Sequence, residues 1–354
     1  MLHRESGVFK TSYAADMALY PLPIARWAVA AVILLFAVVL PLSLHEYYLS
    51  IINLSLIAVV GALGLNILVG YTGQISLGNA AFLAVGAYVT SYLAGPWGLP
   101  FLVVIPLAGL FTAAVGMIFG VPSLRLKGLY LAVATLAAHF VIEFVISHWE
   151  SVTGGVNGMS VPAAKLGALV LKGDRPLFFL IFPLTVALLL FARNLFRTKV
   201  GKAFVAIRDQ DIAAEIIGIN IFRYKLLAFA ISSFYAGVCG VLYTYYFGIA
   251  NYEAFQIGVS IDYLAMIIIG GLGSVLGSIL GAIFVTMLPI AIRLVMEPLG
   301  GLFFNAGELS SIIASTRLVL FGCLIIFFLV VEPEGLNRLW RNIRSYFRVW
   351  PFAY

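Results

Sequence analysis

Apolar runs of about twenty residues recur along almost the whole chain, at roughly 26–44, 50–69, 75–94, 99–121, 128–147, 177–196, 225–248 and 313–331, and a longer one fills 260–292. An α-helix rises ~1.5 Å per residue, so a run of about 20 residues matches the ~30 Å hydrocarbon core of a bilayer. Backbone N–H and C=O groups facing lipid find no water there. Each must be paired within the protein, which only helices and closed barrels achieve. The runs are continuous rather than alternating, and this excludes a barrel. With 63% hydrophobic and 10% charged residues, the chain carries more apolar surface than a water-soluble fold can cover. The sequence predicts an all-α, polytopic transmembrane helical bundle of about eight to ten spans, some of them glycine-broken or re-entrant.

Lysine and arginine set the orientation, because short cytoplasmic loops retain them. Residues 1–25 carry Arg4 and Lys10 and no apolar run, so they read as a cytoplasmic leader and not as a cleavable signal peptide. The 45–49, 249–259 and 294–312 loops lack Lys and Arg and fall outside, as does the mixed 148–176 loop. Arg193, Arg197, Lys199, Lys202, Arg208, Arg223 and Lys225 cluster around one loop, about 197–224, which falls inside. The basic tail, 332–354, falls inside with Arg338, Arg341, Arg344 and Arg348. Both termini are thus expected in the cytoplasm, flanking a transmembrane domain at 26–331. This parity requires 260–292 to enter and leave on one face, as a re-entrant segment or as two short spans folded at Gly270–Gly273. The net charge of +6 reports orientation, not nucleic acid as a partner. Cys239 and Cys323 lie inside apolar runs, so neither a disulfide nor a metal site is indicated.

Two runs are interrupted by glycine. One reads Gly70-Tyr-Thr-Gly73-Gln74-Ile-Ser76-Leu-Gly78-Asn79; the other reads Gly270-Gly271-Leu-Gly273-Ser-Val-Leu-Gly277, continuing to Gly281. Broken helices leave free backbone groups at membrane depth, tolerated only against protein or a wet cavity, and paired breaks point to a transport pathway. Glycines 273, 277 and 281 also share a helical face that lets two backbones approach closely. The outside loop holds Thr153, Gly154, Gly155 and Asn157, either a plain turn cluster or a shaped mouth for substrate.

Ionisable residues inside spans are few. His139 and Glu143 are four apart and share one helix face; they read either as a local hydrogen-bonded pair or as the coupling pair of a proton-driven carrier. No metal-ligand spacing and no nucleophile–base set is present, so catalysis is not expected. The phosphate-binding pattern Gly-x-x-x-x-Gly-Lys-Ser/Thr does not occur, since Ala203 follows Lys202.

The 201–220 segment is expected to form a short amphipathic helix, stopped at Gly218 and exposing Ile207, Ile212, Ala213, Ala214 and Ile216. Such a face needs lipid, the bundle or a docked partner to cover it. Its Ile212-Ala213-Ala214-Glu215-Ile216-Ile217-Gly218 resembles the loop signature of ATP-binding cassette (ABC) importer permeases, although Ile212 replaces the family's glutamate. Together with Gly70–Gly78, Thr153–Gly158, Ala206–Asp209 and Gly270–Gly277 in this order, the chain resembles the longer permease type of branched-chain amino acid importers from about residue 50 to 332.

The resemblance implies a multi-pass bacterial inner-membrane subunit working with ABC ATPase subunits, a second permease subunit (itself or a paralogue) and an extracytoplasmic solute-binding protein. It implies that ATP and Mg sit on the ATPase and no cofactor on this chain. It also implies a coupling loop at Arg208, Asp209, Ala213, Ala214, Glu215 and Gly218. Asn79, Ser278, Phe140 and Glu143 differ from the residues usual in that family. Related permeases carry urea, amides or other amino acids, which leaves the ligand open among these. A stand-alone proton-coupled carrier using His139 and Glu143 is the alternative class.

Overall fold

A computed structural model describes residues 23–349 except 124, 125, 127, 167, 168, 301–305 and 333. Most of the expected leader and the last five residues of the tail lie outside the described residues. The helices are α1 Pro23–Ser43, α2 Glu46–Thr72, α3 Asn79–Ala94, α4 Phe101–Ser123, α5 Leu129–His148, α6 Asp174–Leu195, α7 Lys199–Asp209, α8 Asp211–Ile216, α9 Ile221–Phe247, α10 Ile257–Gly270, α11 Val275–Gly300, α12 Ala306–Val331 and α13 Gly335–Val349. A four-residue turn of helix, Glu150–Thr153, follows α5. Among the described residues, seven helices are long and apolar enough to cross a membrane. The number rises to eight if the bent pair Val319–Val331 and Gly335–Tyr346 is one span. Two further runs form shorter apolar helices, Ile33–Ser43 and Asn79–Ala94. The run expected at 75–94 shortens because 73–78 is not helical.

α2 is the axis of the bundle. It is apolar on every side, as befits a helix enclosed by others, and 83% of its most apolar window is buried. α6, α9, α10 and α11 enclose it. α9 also packs on α3 and α4, and its Tyr235 hydroxyl donates to the Leu188 carbonyl of α6 at 2.7 Å. The outer surface is apolar as well: Leu102, Leu110 and Ile118 of α4 are 64, 60 and 68% exposed, spread over a broad outward face such as lipid would cover. Cys239 is buried, with its sulfur 3.2 Å from the Tyr263 hydroxyl, whereas Cys323 is exposed.

The 260–292 stretch resolves into two helices, α10 and α11, folded at 271–274. Their backbones touch. A Cβ on Gly281 would lie 1.9 Å from the Met266 carbonyl oxygen, and one on Gly277 would lie 2.6 Å from that of Gly270. Gly273, which helical spacing assigns to this stripe, does not join it. It sits in the turn at φ +72°, a left-handed conformation suited to glycine.

At the end of the bundle where α5 meets α6 and α9 meets α10, short strands close the loops. β1 Met159–Ser160 pairs antiparallel with β4 Ile249–Ala250, in the register Met159↔Ala250 and Ser160↔Ile249. β2 Ala164–Leu166 pairs with β3 Leu169–Leu171.

Candidate functional site

The α7–α8 loop sits at the other end of α6 and α9. α9 has 27 residues, so the two ends lie ~40 Å apart along its axis. Here α2 stops. Gly73 adopts φ +69°, and its N–H donates to the Val69 carbonyl while that of Gln74 donates to Leu68, both at 3.1 Å. This left-handed cap is the ordinary glycine stop of a helix. It does not use the Gly70 carbonyl, which accepts from Nη1 of Arg208 on α7 at 3.0 Å. A guanidinium suits this position, because the last carbonyls of a helix are unpaired and carry partial negative charge. Asp209 holds the same guanidinium, its Oδ1 at 2.9 Å from both Nε and Nη2. Tyr71 stacks on Phe196, with centroids 3.4 Å apart.

The second break meets the first at this point. A Cβ on Gly70 would lie 2.3 Å from the Gly273 nitrogen, and one on Gly273 would lie 2.9 Å from Arg208 Nη1. Asn66 ties the two. Its Oδ1 accepts from the Gly273 N–H at 2.9 Å, and its Nδ2 donates to the Ser274 carbonyl at 2.9 Å and to the Ser278 hydroxyl at 2.6 Å. Asn66 escapes a search for glycine breaks and charged residues, although an amide inside a largely apolar run is a signal for an interhelical hydrogen bond. Gly271 lies under the root of α13, where its Cβ would fall 2.4 Å from the Glu334 carbonyl oxygen.

The structure therefore brings Gly70, Gly73, Gly273, Arg208 and Asp209 together, with Gly270, Gly271 and Gly277 on the adjoining α10–α11 contact. Gln74 is buried and donates to Thr72 Oγ1 at 2.8 Å. A cleft of about 330 Å³ opens between Gln74, Gly128, Arg208 and Lys225. Ser76 and Gly78 lie in the non-helical link into α3, and Asn79 opens that helix; the link packs on α5, where the Leu77 N–H donates to Thr135 Oγ1 at 3.0 Å and a Cβ on Gly78 would lie 2.8 Å from the Thr135 carbonyl oxygen. His139 follows Thr135 by one turn on α5. It is fully buried, with Nε2 3.6 Å from Glu143 Oε2.

The expected single loop helix is two. Gln210, at φ −158° and ψ 98°, separates α7 from α8. Ile207 and Ala214, expected to be exposed, are buried against the bundle. The exposed apolar face consists of Ile212, Ile216 and Ile217, beside exposed Ala213, Glu215 and Gly218.

Thr153, Gly154, Gly155 and Asn157 stand at the opposite end. Thr153 Oγ1 donates to the Ile146 carbonyl at 2.6 Å and accepts from the Gly155 N–H at 3.2 Å. Asn157 is exposed.

The family model described as "Branched-chain amino acid transport system / permease component" matches residues 47–329. The high-affinity branched-chain amino acid transport system permease protein LivM of Escherichia coli K12 is 34% identical over 279 residues. That alignment covers 72% of this chain and 66% of the relative, just under two thirds of its length. A probable branched-chain amino acid transport permease protein LivM of Methanocaldococcus jannaschii is 27% identical over 65% of this chain and 66% of its own. The ribose import permease protein RbsC of Haemophilus influenzae is 26% identical over 70% of this chain and 77% of its own. No solved structure matches. The chain folds as a bundle of apolar helices with two glycine breaks that meet, and it belongs to the family of permease components of branched-chain amino acid transport systems.

Proposed function

We propose that this chain is the translocating subunit of an ATP-binding cassette importer for branched-chain or related amino acids. In this reading it lies in a bacterial inner membrane with both termini cytoplasmic. It pairs with a second permease subunit, takes substrate from an external binding protein, and is driven by ATP and Mg on separate ATPase subunits. The 26–331 region is the permease domain and 197–224 its coupling loop. The observation that supports this is the joint at Arg208: a residue of the loop is hydrogen-bonded to the terminal turn of the central helix, beside the second break. Movement of α7–α8 on a closing ATPase would pull on the place where the two broken segments meet. Gly70, Gly73, Gln74, Ser76, Gly78, Asn79, Gly270, Gly271, Gly273 and Gly277 would line or gate the passage. Thr153, Gly154, Gly155 and Asn157 would shape its outer mouth.

Ile212, Ile216 and Ile217 offer the apolar face that an ATPase groove would cover, in the helix-in-groove mode. Co-purification in mild detergent tests this. Wild type should hold the ATPase, and Ile216→Arg with Ile217→Arg should release it without loss of fold. Retention of the ATPase by that variant would remove the coupling role from α8. Uptake into vesicles should cease on ATP depletion. Uptake that instead persisted and collapsed with the proton gradient would transfer the function to the His139–Glu143 pair and a stand-alone carrier.

A further inference from the structure

The C-terminal helix α13 follows directly on α12 and turns off its axis by 55°. In its sequence Leu336, Leu339, Trp340, Ile343 and Tyr346 recur at three- and four-residue spacing, while Arg338, Arg341 and Arg344 fall on the opposite side. No acidic residue occurs in 335–349. The acids at the root are engaged there: Glu332 pairs with Arg338 at 3.1 Å, and Glu334 pairs with Arg341. Leu336 packs against the bundle, but Leu339, Trp340, Ile343 and Tyr346 are about half or more exposed, at 47, 50, 49 and 65%. A helix with several arginines does not enter a hydrocarbon core. One with an apolar face, an interfacial tryptophan and tyrosine, and arginines opposite lies in the headgroup plane.

What covers the face follows from position. A three-residue link joins the helix to α12, whose apolar run at 313–331 has the length and composition of a span, so the leaflet surface is within reach, and the helix's positive charge calls for anionic headgroups. We propose that α13 is an anionic-lipid-binding helix. It is seated on the leaflet at the α12 terminus, with Trp340 and Ile343 among the upper acyl carbons, Arg344 on phosphate oxygens, and Arg338 and Arg341 sharing their guanidinium donors between phosphate and the root carboxylates of Glu332 and Glu334.

The full-length protein tests this in bilayer nanodiscs, with Trp27, Trp97, Trp149 and Trp350 changed to Phe so that Trp340 alone reports. Brominated lipid is introduced at one mole fraction, first as phosphatidylglycerol and then as phosphatidylcholine. Trp340 emission should be blue-shifted and quenched by both, about twofold more by the anionic lipid. The ratio should fall to about one in Arg338→Gln/Arg341→Gln/Arg344→Gln. The difference between the native chain and Trp340→Phe gives the same reading without the other four changes. Red-shifted, unquenched Trp340, whether in water or under a protein partner, overturns the proposal, as does equal quenching by the two lipids in the parent protein. This readout is independent of transport, so it stands or falls separately from the importer reading.

Discussion

The two ends of the bundle are held by different means. At the β1–β4 end the clasp between the two loops runs backbone to backbone: the strand pair, the Val161 N–H to the Gly248 carbonyl at 2.9 Å, and Gly158 pressed against Ala250, where a Cβ would come within 2.4 Å of the carbonyl oxygen, with Asn53 and Tyr246 adding side-chain bonds to Asp174 nearby. At the loop end the contacts run through side chains that could exchange partners, Asn66 to 273–278 and Arg208 to Gly70. A backbone clasp has one arrangement. A joint made of an amide and a guanidinium can be unmade and remade, which is what a coupling point requires. Adding a side chain should therefore break the first end, and removing one should silence the second.

The largest effect is expected at the clasp. Gly158→Val places a branched side chain at φ +70° against backbone and should destabilise by more than about 3 kcal/mol. Denaturant unfolding in detergent measures it, and a loss under about 1 kcal/mol would mean the clasp is pliable. Next comes Asn66→Leu, which leaves the Gly273 N–H and Ser274 carbonyl without their partner. A cost of about 2–3 kcal/mol follows, and uptake should stop. An unchanged midpoint would separate the two breaks energetically. Arg208→Gln sharpens the contrast: stability within about 1 kcal/mol, since Arg208 is part-exposed, yet uptake reduced about tenfold or more. Equal losses in both would make Arg208 a structural tie only. The smallest effect is Asn157→Ala, expected within ~0.5 kcal/mol in stability and near wild type in uptake. A large rise in the substrate concentration needed would give the exposed mouth a recognition role.

The apolar runs and the glycine breaks were legible because both are local: hydropathy over about twenty residues, and a residue type that interrupts it. That the breaks meet was not legible, because it depends on packing between residues some 208 positions apart. The division of the loop helix at Gln210 carries no glycine or proline to announce it. α7 is anchored by Arg208 and by fully buried Phe204, while α8 turns away, so tertiary contacts decide the boundary. The same contacts bury Ile207 and Ala214, which amphipathic spacing alone assigns to the free face. The non-helical stretch at 73–78 shows the opposite limit: its glycines mark an interruption in the sequence, but not the shortening of α3 that follows.

Asn66 also imposes a schedule on the making of the protein. Its partners Ser274 and Ser278 lie 208 and 212 residues downstream. At ~5–20 residues per second, a ribosome needs roughly 10–40 s to reach them after α2 emerges. Throughout that interval the Asn66 amide lacks its native partners within a largely apolar helix. Either an insertion factor shelters it or a temporary hydrogen bond does, and the second half of the chain must displace that bond. A nascent chain stalled before residue 274 is therefore where an assembly factor for this protein would be caught.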